Sequence, residues 1–278
     1  MEVGEEQAVA PEAMEGLDIE EMFEQRQSSD GSTVVGNNGP MCGRYVMAQT
    51  VGDLVADFDV DESYVDDLQP SYNIAPTDPV PIILERRDRE AGGLSRKLVT
   101  ARWGLVPPWS KDTKGAARLI NARRETVTEK PSFRKAAATK RALVPADGYY
   151  EWEKREAAGK LEKIPTYLYA PDDGLLAFAA LFENWPDPTL PPDDPERWLR
   201  TCTILTGPAS DALGHIHDRT PVIVPREMWA DWLDPLTTDE GEVKALIDSI
   251  PEPHLTPRVV SSMVNSVRNN GPELIEAT

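Results

Sequence analysis

Short apolar runs, each bounded by turn residues, recur from residue 80 to the C-terminus of this chain. Val80–Glu85 and Lys97–Trp103 read as the two strands of a hairpin around Gly92-Gly93. Further strands are expected at Arg118–Ala122, Ala142–Pro145, Thr166–Tyr169, Leu175–Phe182, Thr201–Thr206, Val222–Val224 and Arg258–Val264. Helical spacing is confined to short stretches. Val51, Leu54, Val55 and Phe58 follow Thr50, which reads as an N-cap with Asp53 at its third position. Arg226–Leu233 and Glu240–Ile250 also read as helices. Turns such as Pro171-Asp172-Asp173-Gly174 punctuate the strands, and Pro186–Pro195 reads as a surface loop. This pattern favours an α+β fold over a βαβ fold. Its expected core is a curved, mostly antiparallel, barrel-like sheet with short peripheral helices.

The pattern is missing from the first forty residues. They are rich in Glu, Gly, Ser and Asn and end in Gly36-Asn37-Asn38-Gly39-Pro40, the composition of a disordered tail. The expected organisation is an acidic extension over 1–41, removed or not translated, and one ordered domain over 42–278. The 278 residues leave ample chain for a core, and the 25 prolines suit a fold with many turns. No apolar run approaches the ~18 residues of a membrane span, and no signal peptide is evident. Two cysteines, Cys42 and Cys202, do not make a disulfide framework, so a reducing cytoplasm is expected.

Charge changes the picture. The net charge of −19 argues against a polyanionic partner, but its distribution does not. Residues 85–141 carry six acids and sixteen bases, over half of the 29 Lys and Arg in the chain. The alternatives are a solvated basic face and an anionic-ligand site.

Cys42 is the first candidate for chemistry, because it directly follows Met41. Removing that Met would leave a 1,2-aminothiol, whose amine and thiol titrate near pH 7.7–8.0 and 8.5. Both nucleophiles would then be partly unprotonated at neutral pH. Asn121 ends a strand candidate inside the basic block, and Asn in such a place is commonly structural. Glu151 lies in Gly148-Tyr149-Tyr150-Glu151-Trp152. It reads either as an exposed strand residue or as a buried carboxyl that carries a proton at neutral pH. His217 and Arg219 precede an apolar strand candidate, and Arg44 stands two residues beyond the cysteine. His215 and His217 lack further ligands nearby, so no metal and no cofactor are expected.

Seven stretches together resemble one family, the SRAP domain (SOS response-associated peptidase), whose members process abasic sites. They are Met41-Cys42-Gly43-Arg44-Tyr45, Tyr72-Asn73-Ile74-Ala75-Pro76, Trp103-Gly104-Leu105-Val106-Pro107, Ile120–Thr126, Pro145–Trp152, Ile216–Pro221 and Val259–Ile275. The resemblance spans essentially all of 42–278. It implies an active-site set of Cys42, Asn121, Glu151 and His217, with DNA contacts from Arg44, Arg123 and Arg219. Trp109 is a stacking candidate. It also implies a monomer acting in the cytoplasm, at the nucleoid, on single-stranded DNA that contains abasic sites. Two departures stand out. The family often has Met or Arg where Thr220 stands, and the forty-residue extension would block the chemistry if retained.

The implied chemistry is covalent. The α-amine of a terminal Cys42 attacks the open-chain aldehyde of an abasic deoxyribose and releases water as the imine forms. The thiolate then adds to the same carbon and closes a thiazolidine. Glu151 would shuttle protons, His217 would assist the departing sugar oxygen, and Asn121 would position the cysteine. The alternatives are self-cleavage before Cys42, a peptidase acting on other proteins, β-elimination from the imine, and a non-covalent single-strand binding module.

Overall fold

The computed structural model describes residues 43–87, 92–157, 159–209 and 214–278. The chain opens with strand β1 (Tyr45–Met47) and helix α1 (Val51–Asp57). Thr50 caps that helix as its sequence suggests. Its hydroxyl accepts from Asp53 N, and the Asp53 carboxylate accepts from Thr50 N, so both halves of a capping box form. Leu54 and Phe58 turn into the core. Short strands β2 (Glu62–Ser63) and β3 (Ser71–Ile74) lead into the hairpin of β4 (Pro79–Arg87) and β5 (Leu94–Trp103). Then follow β6 (Asn121–Arg123), α2 (Arg134–Thr139), β7 (Arg141–Ala146), β8 (Gly148–Ala157) and β9 (Lys160–Tyr169). The C-terminal half holds β10 (Leu176–Pro186), β11 (Trp198–Pro208), β12 (Arg219–Pro221), α3 (Trp229–Leu233), α4 (Glu240–Ser249) and β13 (Thr256–Val259).

Two sheets organise these strands. The smaller runs β13-β9-β8-β1-β3 and the larger β12-β11-β10-β7-β4-β5-β2. The larger sheet closes on itself, because β11 also pairs with β5 in parallel at Thr201↔Arg102 and Cys202↔Trp103. Strands β5, β4, β7, β10 and β11 therefore form a ring, which removes the free edges an open sheet would expose. Gly104 N donates to Cys202 O at 2.8 Å just past this closure. Only glycine suits that position. Its φ is +129°, and a Cβ there would lie 2.9 Å from Ala116 O. Trp103, Tyr45, Tyr149 and Phe178 fill the interior, with Tyr45 meeting Trp103 and Phe178 edge-on.

Buried arginines tie the helices to this core. The Arg141 guanidinium donates to Ala137 O and Ala138 O at the end of α2 and to Trp232 O and Asp234 O at the end of α3. Carbonyls at helix C-termini have no intrahelical partner, so one cation satisfies two helix ends.

The fold class matches the expectation, while β1, β3, β8 and α2 were not among the expected elements and three of the expected strands differ locally. Arg118–Ala122 is not one strand. A 3-10 turn over Ala116–Arg118 precedes the shorter β6. Val222–Val224 joins no ladder of its own. It bridges β11 and β10, with Val222 N donating to Leu205 O while Val222 O accepts from Ala179 N. Arg258–Val264 is strand only to Val259, because Ser261 caps a 3-10 turn at Ser262–Asn265. No helix among the described residues is long and apolar enough to cross a membrane.

Candidate active site and nucleic-acid interface

Strand β8 carries Glu151. Its first residue, Gly148, is fixed by packing, because a Cβ there would lie 2.5 Å from both Leu168 O and the Tyr167 ring. Side chains alternate along the strand. Tyr150 joins a small cluster with Val46 and Tyr167, while Tyr149 enters the main core. Glu151 shares the face of Tyr149, sits opposite Thr166 of β9, and is 4% exposed. On its other side β8 pairs with β1 at Tyr45↔Tyr149 and Val46↔Gly148. Tyr150 N donates to Arg44 O at 2.9 Å, so the contact runs on toward Glu151 as the chain runs back toward Gly43. Cys42 lies outside the described residues.

A second group gathers on the other sheet. Strand β6 runs parallel to β11, with Asn121 opposite Ile204 and Arg123 opposite Thr206. Strand β12 lies on the same end of β11, with Thr206 opposite Pro221 and Pro208 opposite Arg219. This brings Asn121, Arg123 and Arg219 to one sheet end, with His217 two residues before Arg219. The Arg219 N–H donates to His217 Nδ1 at 3.1 Å, which requires a lone pair on Nδ1 and leaves the proton of the neutral ring on Nε2. Asp218 Oδ1 lies 2.9 Å from the same nitrogen, a contact that suits only a ring with a proton on Nδ1. The two cannot be satisfied together. The backbone bond favours an Nδ1 without a proton, because Asp218 is largely exposed and free to turn to water.

Arg219 is buried, 9% exposed as a residue, and its side chain is already engaged. It forms a two-pronged ion pair with Glu125, and its Nη2 also donates to Thr206 O at 2.6 Å. A phosphate at this residue would have to share the guanidinium with Glu125. The two sheets meet beside this group. Tyr149 Oη and Thr220 Oγ1 lie 3.0 Å apart, linking β8 to β12.

Arg44 is half-buried in a third cluster. Its Nη1 donates to Asn73 Oδ1 at 2.9 Å and to Val264 O at 2.8 Å, and its guanidinium lies 5.9 Å from the Trp152 ring centroid. Desolvation lowers its pKa, opposed by the charge of Asp78. The buried Asn73 amide donates to Val264 O, Ser266 O and Asn269 O, and Trp152 Nε1 donates to Asn265 Oδ1 at 2.7 Å. The C-terminal segment is thereby strapped over the residues that lead into β1. Asp78 sits at the end of a tight turn, where its carboxylate accepts from Ala75 N and the preceding Thr77 has φ +79°. A β-branched residue in that region is strained. Burial pushes the Asp78 carboxyl up from its ordinary value.

The structure divides the basic block into two sets. Arg124 donates to Ile247 O and Ile250 O at the end of α4, Arg96 pairs with Glu85, and Lys140 pairs with Glu183. With Arg141, these residues hold the fold. A second set is exposed: Lys111, Lys114, Arg118 and Arg123. The Arg123 guanidinium makes no hydrogen bond or ion pair among the described residues. Trp109 is 61% exposed at the tip of a turn closed by Ser110 N to Pro107 O and pinned by Trp185 Nε1 to Ser110 O. An exposed aromatic on a fixed turn, two residues before the exposed Lys111, is the kind of surface on which unpaired bases stack.

The sequence singled out Glu151, Asn121, His217 and the arginines, and the structure groups them as described. It did not single out Asn73, Glu125 or Tyr149, whose side-chain partners are 29 to 196 positions away, or Asp78, whose charge acts on Arg44. For Asn73, Glu125 and Tyr149 the only sequence signal was membership of the motif stretches, and Asp78 lies outside them. Among the described residues no group of three His, Cys, Asp or Glu side chains could hold a metal ion.

Comparison with known proteins identifies the family and supports the fold. The family model for SOS response associated peptidase (SRAP) matches residues 41–267. The chain is 39% identical over 238 residues to "Abasic site processing protein YoqW" of Bacillus subtilis, covering 85% of this chain and 100% of that protein. It is 33% identical over 236 residues to "Abasic site processing protein HMCES" of Xenopus tropicalis, covering 76% of this chain and 67% of that protein. A crystal structure from Bacteroides thetaiotaomicron superposes with a TM-score of 0.68 over 85% of this chain, at 24% identity, which supports the fold.

Proposed function

Since the chain belongs to the SOS response associated peptidase family, we propose that it processes abasic sites in single-stranded DNA by covalent capture through Cys42. The observation that carries the reading is the pairing of β1 with β8. As the chain runs back from Tyr45 through Arg44 to Gly43, the contact with β8 advances from Tyr149 toward the buried Glu151. A nucleophile at position 42 would then work beside a carboxyl shielded from water.

In this reading the Cys42 amine attacks the sugar aldehyde, and Glu151 passes the protons that let water leave as the imine forms. The thiolate adds to the imine carbon and the nitrogen takes a proton, closing a thiazolidine with net loss of one water. His217, with its proton on Nε2, donates to the sugar oxygen during ring opening. Asn121 orients the cysteine, and Arg44, Arg123 and Arg219 hold phosphates around the site. Trp109 stacks an unpaired base, which favours single strands. A free amine at Cys42 requires that residues 1–41 be absent, whether by initiation at Met41 or by self-cleavage.

The test is direct. Protein beginning at Cys42 is mixed with a single-stranded oligonucleotide bearing one abasic site, and heat-stable adduct is read on a denaturing gel. The reading predicts an adduct that Cys42→Ala abolishes. A wild-type yield from Cys42→Ala would refute it.

A further inference from the structure

We propose that Tyr149 and Thr220 are positioning residues for the covalent reaction, their buried hydrogen bond fixing the strand of Glu151 against the strand that follows His217. The inference rests on the reading that Glu151 and His217 move protons at this site. Strands β8 and β12 belong to different sheets and share no ladder. The Tyr149–Thr220 contact of 3.0 Å spans that gap. Tyr149 lies two residues from Glu151 on the same face of β8. Thr220 lies three residues beyond His217 and directly after Arg219, whose N–H fixes the imidazole. A shift of either strand would therefore change the separation of Glu151 from His217.

The chemistry of the pair favours positioning over packing. Both residues are buried, and the Tyr149 ring packs edge-on against Phe178, itself bridged to Ile223 just after β12. A Phe and Val pair would fill this space without hiding two hydroxyls from water. Replacing both partners of a buried hydrogen bond with apolar groups of the same shape is nearly neutral for stability, whereas replacing one deprives the other of that bond. What the hydroxyls add is a directional constraint on two strands that backbone bonds do not join. Small misplacement of reacting groups is costly, up to roughly a hundredfold in rate per ångström.

The experiment compares Tyr149→Phe, Thr220→Val, Thr220→Ser and the double variant Tyr149→Phe/Thr220→Val in protein beginning at Cys42. Three quantities are read: thermal midpoint, affinity for a strand carrying a non-reactive tetrahydrofuran site, and the pH profile of single-turnover adduct formation at saturating abasic DNA. The single variants Tyr149→Phe and Thr220→Val should lose stability, and the double variant should regain it. The proposal expects the double variant to bind the tetrahydrofuran strand normally yet react about tenfold or more slowly, with a displaced pH profile. Thr220→Ser keeps the hydroxyl and should keep the rate. A double variant that is stable and reacts at the wild-type rate would overturn the proposal and leave a packing pair. If the double variant does not fold, equal rates for Thr220→Ser and Thr220→Val overturn it instead. Failure of the wild-type chain to form any adduct is a separate result, and it removes the functional reading together with this inference.

Discussion

Arg219 and Glu125 form a two-pronged ion pair in which the arginine is almost fully enclosed and the carboxylate is 42% exposed. The pair joins β12 to the turn after β6. It therefore links the loop of His217 to the segment of Asn121 and Arg123, and it occupies the fork a phosphate would use.

That pair gives a pH-dependent prediction. The hydrogen bond from Arg219 holds the Glu125 carboxyl below its ordinary value of 4.5. A depressed carboxyl stabilises the fold above its unfolded pKa, and the contribution is lost as pH falls through the lower folded value. Glu125→Gln should therefore lower the thermal midpoint at pH 7, and the difference from wild type should shrink as pH drops below about 4. Single-stranded DNA should stabilise the variant more than wild type, because a phosphate can replace the lost partner. A difference between the two proteins that stays constant from pH 7 to pH 3 would count against the pair.

The two neighbouring arginines of the basic block should behave oppositely. Arg123 is exposed with no partner among the described residues, so Arg123→Ala should weaken single-strand binding. The salt dependence, plotted as log K against log salt, should flatten by ~0.7. Arg124 holds the end of α4, so Arg124→Ala should cost about 1–3 kcal/mol of stability and leave the salt slope unchanged. Titrations between 50 and 300 mM salt, beside chemical denaturation, separate the two roles. A flat salt response for the wild-type chain would make the whole block structural.

Asp78 makes the reverse case to Glu125. Burial raises its carboxyl above the ordinary 3.8, so the native state binds that proton more tightly than the unfolded chain. Stability therefore falls as pH climbs from 3.8 through the raised value, and the loss persists above it. Asp78→Asn keeps an acceptor for Ala75 N and should raise the thermal midpoint at pH 7 while leaving it unchanged near pH 3. A variant less stable than wild type at pH 7 would mean that attraction to Arg44 outweighs desolvation.

Glu151→Gln retains the volume of the buried side chain but cannot carry a proton. Adduct formation at saturating abasic DNA should slow by roughly 10²-fold or more, with binding little altered. Unchanged kinetics would move the proton transfer to His217.

The larger architecture was legible because strand periodicity, turn residues and the Thr50 capping box act locally. Strand β8 was harder to read. Beyond Trp152 it is a charged hairpin arm, Glu153-Lys154-Arg155-Glu156, whose pairing with β9 is set by the partner strand and not by alternation. Glu151 could be read as buried or exposed, and what decides is the contact of β8 with β1, over a hundred residues earlier in the chain. The basic block shows the same limit. Its charge count was correct, but whether an arginine meets solvent or a helix terminus depends on α4, which packs from a distant part of the sequence. The closed barrel likewise rests on a parallel contact of β11 with β5 that local pattern does not encode.

The central claim is that an amine on Cys42 captures the abasic sugar, and one comparison tests it most directly. The full 278-residue chain and the 42–278 form, each verified by intact mass, are reacted with the same abasic single strand. Heat-stable adduct is then followed over time. The account predicts rapid adduct formation by the 42–278 form, with a mass increase equal to the oligonucleotide less one water, and none by any species that retains residues 1–41. A full-length species that forms the adduct as fast as the 42–278 form would contradict it.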